Sequence, residues 1–321
     1  MGALPAGCLP ALFVCLLLAL ATPSFGGTTA RDGTILERRP YAFAPYDSVP
    51  SLAKRCTRQE YDEAAKDRRF GMERVVYASS GLRVVAYVYA PSPRPSAPLP
   101  VVVFNRGSYV QGDIGAELAP MLHRLARAGF LVIAPLYRGS DGGEGRDEMG
   151  GADLADLMNA VPLATGLGIA DTSRLFLYGE SRGGMMVFQA LRDGFPAKAA
   201  AVFGAFTDLD TLIVSDPALY DRLCHSIWPD FDRAHEAIVT RRSAVRWAER
   251  LRAPLLLMHG GADGGVSPAQ TLRLAGRLQD LGREYELHVY AGDGHTLRKN
   301  QSDRDARAAA WFRQHERPGS E

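Results

Sequence analysis

Short, almost uninterrupted apolar runs alternate along this chain with longer segments in which apolar side chains return every third or fourth position. The runs at 101–104, 130–134, 174–178, 199–203, 254–258 and 284–290 have the length of strands, and 101–104 is the short β-branched run that suits a fully buried one. The helical periods cover 116–128, a stretch near 152–163, and 181–192, 268–281 and 303–315, with Gly129, Gly194 and Gly282 as stop signals. Strands alternating with helices imply a mostly parallel central sheet with helices on both faces. Ahead of it, 74–79 and 82–89 are split by Ser80-Gly81 and read as a hairpin at one edge. Residues 27–73 are polar, interrupted by Pro40, Pro45 and Pro50, and read as an N-terminal extension with one short helix near 57–69. Within the main unit, 74–321, the alternation breaks only at 207–252, a partly helical interval carrying Phe231, Trp228 and Trp247. An insertion at that point is expected to form a small cap over the strand ends.

Residues 1–26 stand apart. An apolar run at 9–21 precedes Thr22, Pro23, Ser24, Phe25 and Gly26, as in a secretory signal peptide, although no Lys or Arg precedes the run. An uncleaved anchor is the alternative, but the run is short for a span of about 20 residues. The expected location is secreted or periplasmic, with no stable membrane association once the signal is removed. That leaves Cys56 and Cys224, which in an oxidising compartment either pair or remain buried thiols. A formal charge of +1, from 37 basic and 36 acidic side chains, argues against nucleic acid as a partner.

The chemistry enters at Gly179-Glu180-Ser181-Arg182-Gly183, a G-x-S-x-G pattern. Leu175-Phe176-Leu177-Tyr178 leads into it as a strand, and Met185-Met186-Val187-Phe188 leaves it as an apolar helix. A strand running straight into a helix needs a sharp turn, which lifts Ser181 above the sheet at a helix N-terminus. There the backbone N–H of Arg182 faces a developing oxyanion. This is the nucleophile elbow of an α/β-hydrolase fold. The same Ser as a simple helix cap is the bland alternative.

Ser181 needs a base, and the base needs an orienting acid, in the chain order Ser, Asp or Glu, His. His295 follows the last strand in Gly292-Asp293-Gly294-His295, where α/β sites form. Asp263 follows the preceding strand in His259-Gly260-Gly261-Ala262-Asp263. Asp293 is a competing carboxylate, but its place suits a turn, and His259 suits a role in shaping the Asp263 loop. The second oxyanion donor belongs in Asn105-Arg106-Gly107-Ser108-Tyr109, where related enzymes often carry His-Gly-Gly. Three groups remain open for it: the backbone N–H of Ser108 or of Tyr109, or the Tyr109 hydroxyl. The side chains of Glu180 and Arg182 either touch substrate or pair structurally. Gly142-Gly143-Glu144-Gly145 lacks the Lys-Ser/Thr of a phosphate loop and reads as a flexible border, with Arg138, Glu144, Arg146 and Asp147 available for ion pairs.

Taken together, the Asn105-Arg106-Gly107 loop, Tyr137-Arg138-Gly139-Ser140, the elbow with its extra Gly184, and the segments ending in Asp263 and His295 resemble the catalytic domain of prolyl oligopeptidase family serine peptidases. The resemblance spans residues 82–312 and implies hydrolysis of peptide or ester bonds through an acyl-enzyme, with no cofactor and no metal. The expected partner is a small peptide or an acyl ester. Larger members carry a β-propeller, for which the residues between 27 and Leu82 are too few. A carboxylesterase with the same three residues is therefore the alternative, and a non-catalytic binding protein on the same fold is a third.

Overall fold

The apolar runs become strands whose side chains alternate between two cores. In the computed structural model, which describes residues 29–109 and 112–316, the order begins β1 (Ile35–Pro40), α1 (Leu52–Arg55), α2 (Arg58–Lys66), β2 (Phe70–Ser79), β3 (Leu82–Pro91), β4 (Leu99–Asn105), α3 (Gly115–Arg127) and β5 (Leu131–Pro135). It continues with α4 (Leu154–Met158), α5 (Ala160–Leu167), β6 (Ala170–Glu180), α6 (Arg182–Arg192), β7 (Ala199–Phe203), α7 (Leu209–Ser215), α8 (Pro217–Arg222) and α9 (Phe231–Arg242). The chain ends with β8 (Leu255–Gly260), α10 (Pro268–Asp280), β9 (Tyr285–Tyr290) and α11 (Gln301–Gln314). The expected signal at 1–26 lies outside the described residues.

The strands form one sheet in the order β1-β2-β3-β5-β4-β6-β7-β8-β9, antiparallel from β1 to β5 and parallel from β5 to β9. Val101, Val103, Leu175, Leu177, Leu255 and Leu257 face a core built with α5, α6 and α10. Their neighbours Val102, Phe104, Phe176, Tyr178, Leu256 and Met258 face a second core built with α3 and α11. Uninterrupted apolar runs are what a strand buried on both faces requires.

The N-terminal segment is tied more closely to the sheet than its polarity suggests. β1 pairs antiparallel with β2, and β2 begins at Phe70, ahead of the expected start at 74. β1 is largely exposed and is held by its backbone ladder, so no hydrophobic alternation announces it. The helix near 57–69 starts at an N-cap, Thr57, that forms a capping box with Glu60, the T-x-x-E pattern of a helix start. Cys56 is a free thiol, so the possible pairing with Cys224 is not made. It is buried among Leu52, Tyr61 and Ala116, which belong to its own segment and to α3, and burial pushes its pKa up to about 11. The interval 207–252 contains α7, α8 and α9 and lies over the carboxyl ends of the strands, where its side chains roof a cavity described below.

One close approach fixes the elbow. Gly183, in the first turn of α6, lies so near β4 that an added methyl would overlap the carbonyl oxygen of Asn105. Gly183→Ala is expected to destabilise the protein by about 3 kcal/mol. That overrides the roughly 1 kcal/mol by which Ala is favoured over Gly in a helix. A shift of the urea midpoint to lower concentration is the check, and an unchanged midpoint would contradict this close contact.

Candidate active site

β6 delivers its last residues into a turn at Ser181, whose φ of 52° and ψ of −118° no strand or helix shares. Such a backbone costs about 1–3 kcal/mol and persists only where its surroundings enforce it. Here Ser181 N–H donates to Phe203 O at 2.8 Å, and Gly184 N–H donates to Ser181 O at 2.9 Å. The turn raises the Ser181 side chain to the start of α6, where the first N–H groups, those of Arg182 and Gly183, have no partners within the helix.

His295 reaches Ser181 from the loop after β9, its Nε2 lying 2.9 Å from Ser181 Oγ. Its Nδ1 lies 2.7 Å from Asp263 Oδ2, in the loop after β8. Asp263 is fixed in turn: its Oδ1 accepts from the N–H groups of Gly265 at 2.8 Å and Val266 at 2.9 Å. His259 Nε2 stands 3.1 Å from Asp263 Oδ2 and 2.9 Å from Val266 O, so its proton sits on Nε2, while Nδ1 meets Thr271 Oγ1 at 2.7 Å. His259 therefore braces the acid. Asp293 shapes the His295 loop, accepting from Gly294, Lys299 and Asn300 N–H groups.

The electrostatics suit proton transfer. Burial alone would raise the Asp263 pKa, but hydrogen bonds from His259 and His295 hold it well below the carboxylate range. Burial alone would lower the His295 pKa, but the Asp263 hydrogen bond and charge outweigh it and raise the pKa above 6.5. Only neutral His295 accepts the Ser181 proton. kcat/KM is therefore expected to be low in acid, to rise with pH through a midpoint above 6.5, and then to level off. Initial rates across roughly pH 5–9 check this. A midpoint below 6.5 would contradict the raised value.

Arg182 divides its roles. Its backbone opens α6 beside Ser181, but its buried guanidinium pairs with Asp147 at 2.6 Å and Asp153 at 2.8 Å and lies over the Tyr137 ring. The side chain is structural. Glu180 is likewise paired, with Arg55 of α1 at 2.8 Å. The glycine-rich border is held by partners the sequence does not suggest. Arg138 pairs with Asp156, Glu144 accepts from Arg83 N–H, and Arg146 donates to Ile227 O of the cap. The Tyr109 hydroxyl makes a long hydrogen bond of 3.4 Å to Asp147 O. Among the other histidines, His235 pairs with Asp210 on the cap and His315 with Glu284 near the C-terminus.

Ser108, Tyr109, Ser181, Arg182 and His295 line a cavity of about 310 Å³. Its walls are otherwise mainly apolar, with Met149, Phe206 and Val266 below and Leu212, Leu219, Leu223 and Ile227 from the cap. Asp216 is the cap's carboxylate there, and it accepts from Leu219 N–H at the start of α8. Among the described residues no group of three His, Cys, Asp or Glu side chains is arranged to hold a metal ion. The arrangement sets a serine hydroxyl, an imidazole and a carboxylate in one hydrogen-bonded chain beside a mainly apolar cavity.

Comparison with known proteins agrees with this geometry. A family model described as the prolyl oligopeptidase family matches residues 118–317. An uncharacterized peptidase of Bacillus subtilis, YtmA, is 26% identical over 237 residues, covering 73% of this chain and 89% of its own. Acylamino-acid-releasing enzyme 1 of Oryza sativa subsp. japonica is 26% identical over 206 residues, 58% of this chain and 26% of its own. Among solved structures, a puromycin-hydrolyzing peptidase of Mycobacterium tuberculosis superposes with a TM-score of 0.62 at 29% identity, covering 74% of this chain and 38% of that one. The acylaminoacyl peptidase of Pyrococcus horikoshii gives 0.66 at 23% identity, with 80% and 43% covered. The chain thus spans about a quarter of the rice enzyme and less than half of these solved chains.

Proposed function

Because this chain belongs to the prolyl oligopeptidase family of serine peptidases, we propose that it cleaves peptide or ester bonds of small acyl substrates through an acyl-enzyme on Ser181. The observation that carries the reading is the continuous chain from Ser181 Oγ to His295, 2.9 Å, and from His295 to Asp263, 2.7 Å. Ser181 Oγ bonds to the substrate carbonyl carbon as its proton passes to His295 Nε2, and the carbonyl oxygen takes up the electron pair as an oxyanion. The Arg182 N–H donates to that oxygen. Collapse re-forms the carbonyl and expels the amine or alcohol, which leaves with the His295 proton. Water, deprotonated by the same imidazole, then releases the acid and restores Ser181.

A carboxylesterase reading is favoured by a different observation, the mainly apolar cavity that the cap closes over. Parallel assays of aminoacyl anilides and short acyl esters separate the two. Cleavage of anilides supports the peptidase, and ester turnover with no cleavage of any peptide overturns it. Fluorophosphonate labelling tests the class itself, since folded protein that escapes modification at Ser181 would exclude a serine hydrolase and favour a binding protein. The apolar run at 9–21 supports export to the periplasm or medium, which N-terminal sequencing of the mature protein tests.

A further inference from the structure

The loop after β4 holds a buried cation where an uncharged residue would be expected. Arg106 is 1% exposed. Its Nε and Nη2 donate to Leu136 O at 3.1 and 2.8 Å, and Nη2 also donates to Ser140 Oγ at 2.9 Å. Its Nη1 turns back onto its own loop, donating to two successive carbonyls, Gly107 O at 3.3 Å and Ser108 O at 3.0 Å. Arg182 Nη1 donates to the same Ser108 O at 3.2 Å. The charge is balanced by Asp147, 3.5 Å away, and by the face of Tyr137 at 5.2 Å.

In a planar trans peptide the carbonyl of one residue and the N–H of the next point in opposite directions. With the Gly107 and Ser108 carbonyls gathered on the guanidinium, the N–H groups of Ser108 and Tyr109 both face away from it. Ser108 has a φ of 63°, in the left-handed region, where successive N–H groups can turn to one side as in an anion-binding nest. The active-site cavity adjoins this loop. Ser108 and Tyr109 line it together with Ser181 and His295, and a Cβ built on Gly107 would stand 3.2 Å from Ser181 Cβ.

We infer that Arg106 is the positioning residue of the oxyanion site: by holding the Gly107 and Ser108 carbonyls it aims the Ser108 and Tyr109 N–H groups at the carbonyl oxygen of a substrate under attack by Ser181. The inference rests on the serine-hydrolase reading and supplies the side of the site opposite the Arg182 N–H. It also accounts for arginine at this position. A rigid fork of five N–H donors holds four acceptors at once, which a lysine ammonium with three donors does not.

The test compares a short acyl 4-nitrophenyl ester with its thiono counterpart in the wild type, Arg106→Met, Arg106→Lys and Ser140→Ala. A thiocarbonyl places sulfur, a weaker and larger acceptor, in the oxyanion site, so well-aimed donors favour the oxygen ester. Arg106→Met is expected to lower kcat by about 10²-fold with KM changed by less than about threefold, and to reduce the preference for the oxygen ester. Arg106→Lys should fall between it and the wild type, and Ser140→Ala should shift kcat and preference slightly in the same direction. Folded variants with wild-type kcat would overturn the inference. So would a loss of kcat with the oxygen preference intact, the signature of general disruption. If Arg106→Met does not fold, the Lys and Ser140 variants decide by the same ratio. Wild-type protein that neither turns over ester nor accepts a fluorophosphonate would instead remove the serine-hydrolase reading itself.

Discussion

Ser181→Ala is expected to lower kcat by about 10⁶-fold while the protein stays folded. The hydroxyl lies 2.9 Å from His295 Nε2, and without it the imidazole can at best assist a water at a distance. The backbone at φ 52° is equally strained for Ala and Ser, since both carry a Cβ, so the elbow itself is not relieved by the change. The denaturant midpoint should therefore stay close to the wild-type value, and fluorophosphonate labelling should disappear. Steady-state rates on an activated ester provide the measurement. A residual rate within tenfold of the wild type would mean that another group attacks the carbonyl.

Asp263→Asn is expected to cost about 10⁴-fold in kcat with little change in KM. The size follows from hydrogen-bond direction. Asp263 Oδ1 accepts two backbone N–H groups, from Gly265 and Val266, and its Oδ2 faces both His295 Nδ1 and the Nε2 proton of His259. An Asn that keeps its oxygen toward the two backbone donors presents its NH₂ to His295, forcing the imidazole proton onto Nε2. That nitrogen then points a proton at Ser181 and accepts none. The flipped amide restores the tautomer but sets its NH₂ against two N–H groups. Either arrangement removes the charge that raises the His295 pKa above 6.5, so the residual activity should titrate at a lower pH. A variant with wild-type kcat, or with an unmoved midpoint, would contradict Asp263 as the orienting acid.

Much of the sheet and the three candidate residues were legible because each signal is local. Buried strands such as β7 are pure apolar runs, and the glycines around Ser181, Asp263 and His295 mark turns at strand ends. What stayed hidden depends on partners distant in sequence. β1 carries Glu37, Arg38 and Arg39 and joins the sheet only through its pairing with β2. The fork of Arg106 needs Leu136 and Ser140, and the role of Arg182 is decided by Asp147 and Asp153. For both arginines a charged residue reads as surface until the fold supplies its buried acceptors. Cys56 shows the converse: an even cysteine count permits a bridge, but only three-dimensional placement decides whether it forms.

The N-terminal segment has a consequence for anyone trimming the protein for expression. Arg55 meets Glu180 directly beside the nucleophile, and β1 covers the edge of β2. A gene fragment started at residue 74 would leave that carboxylate without its cation and bare a strand edge to pairing with other chains. The smallest useful fragment is therefore longer than the hydrolase core suggests, and a workable cloning boundary lies upstream of Ile35.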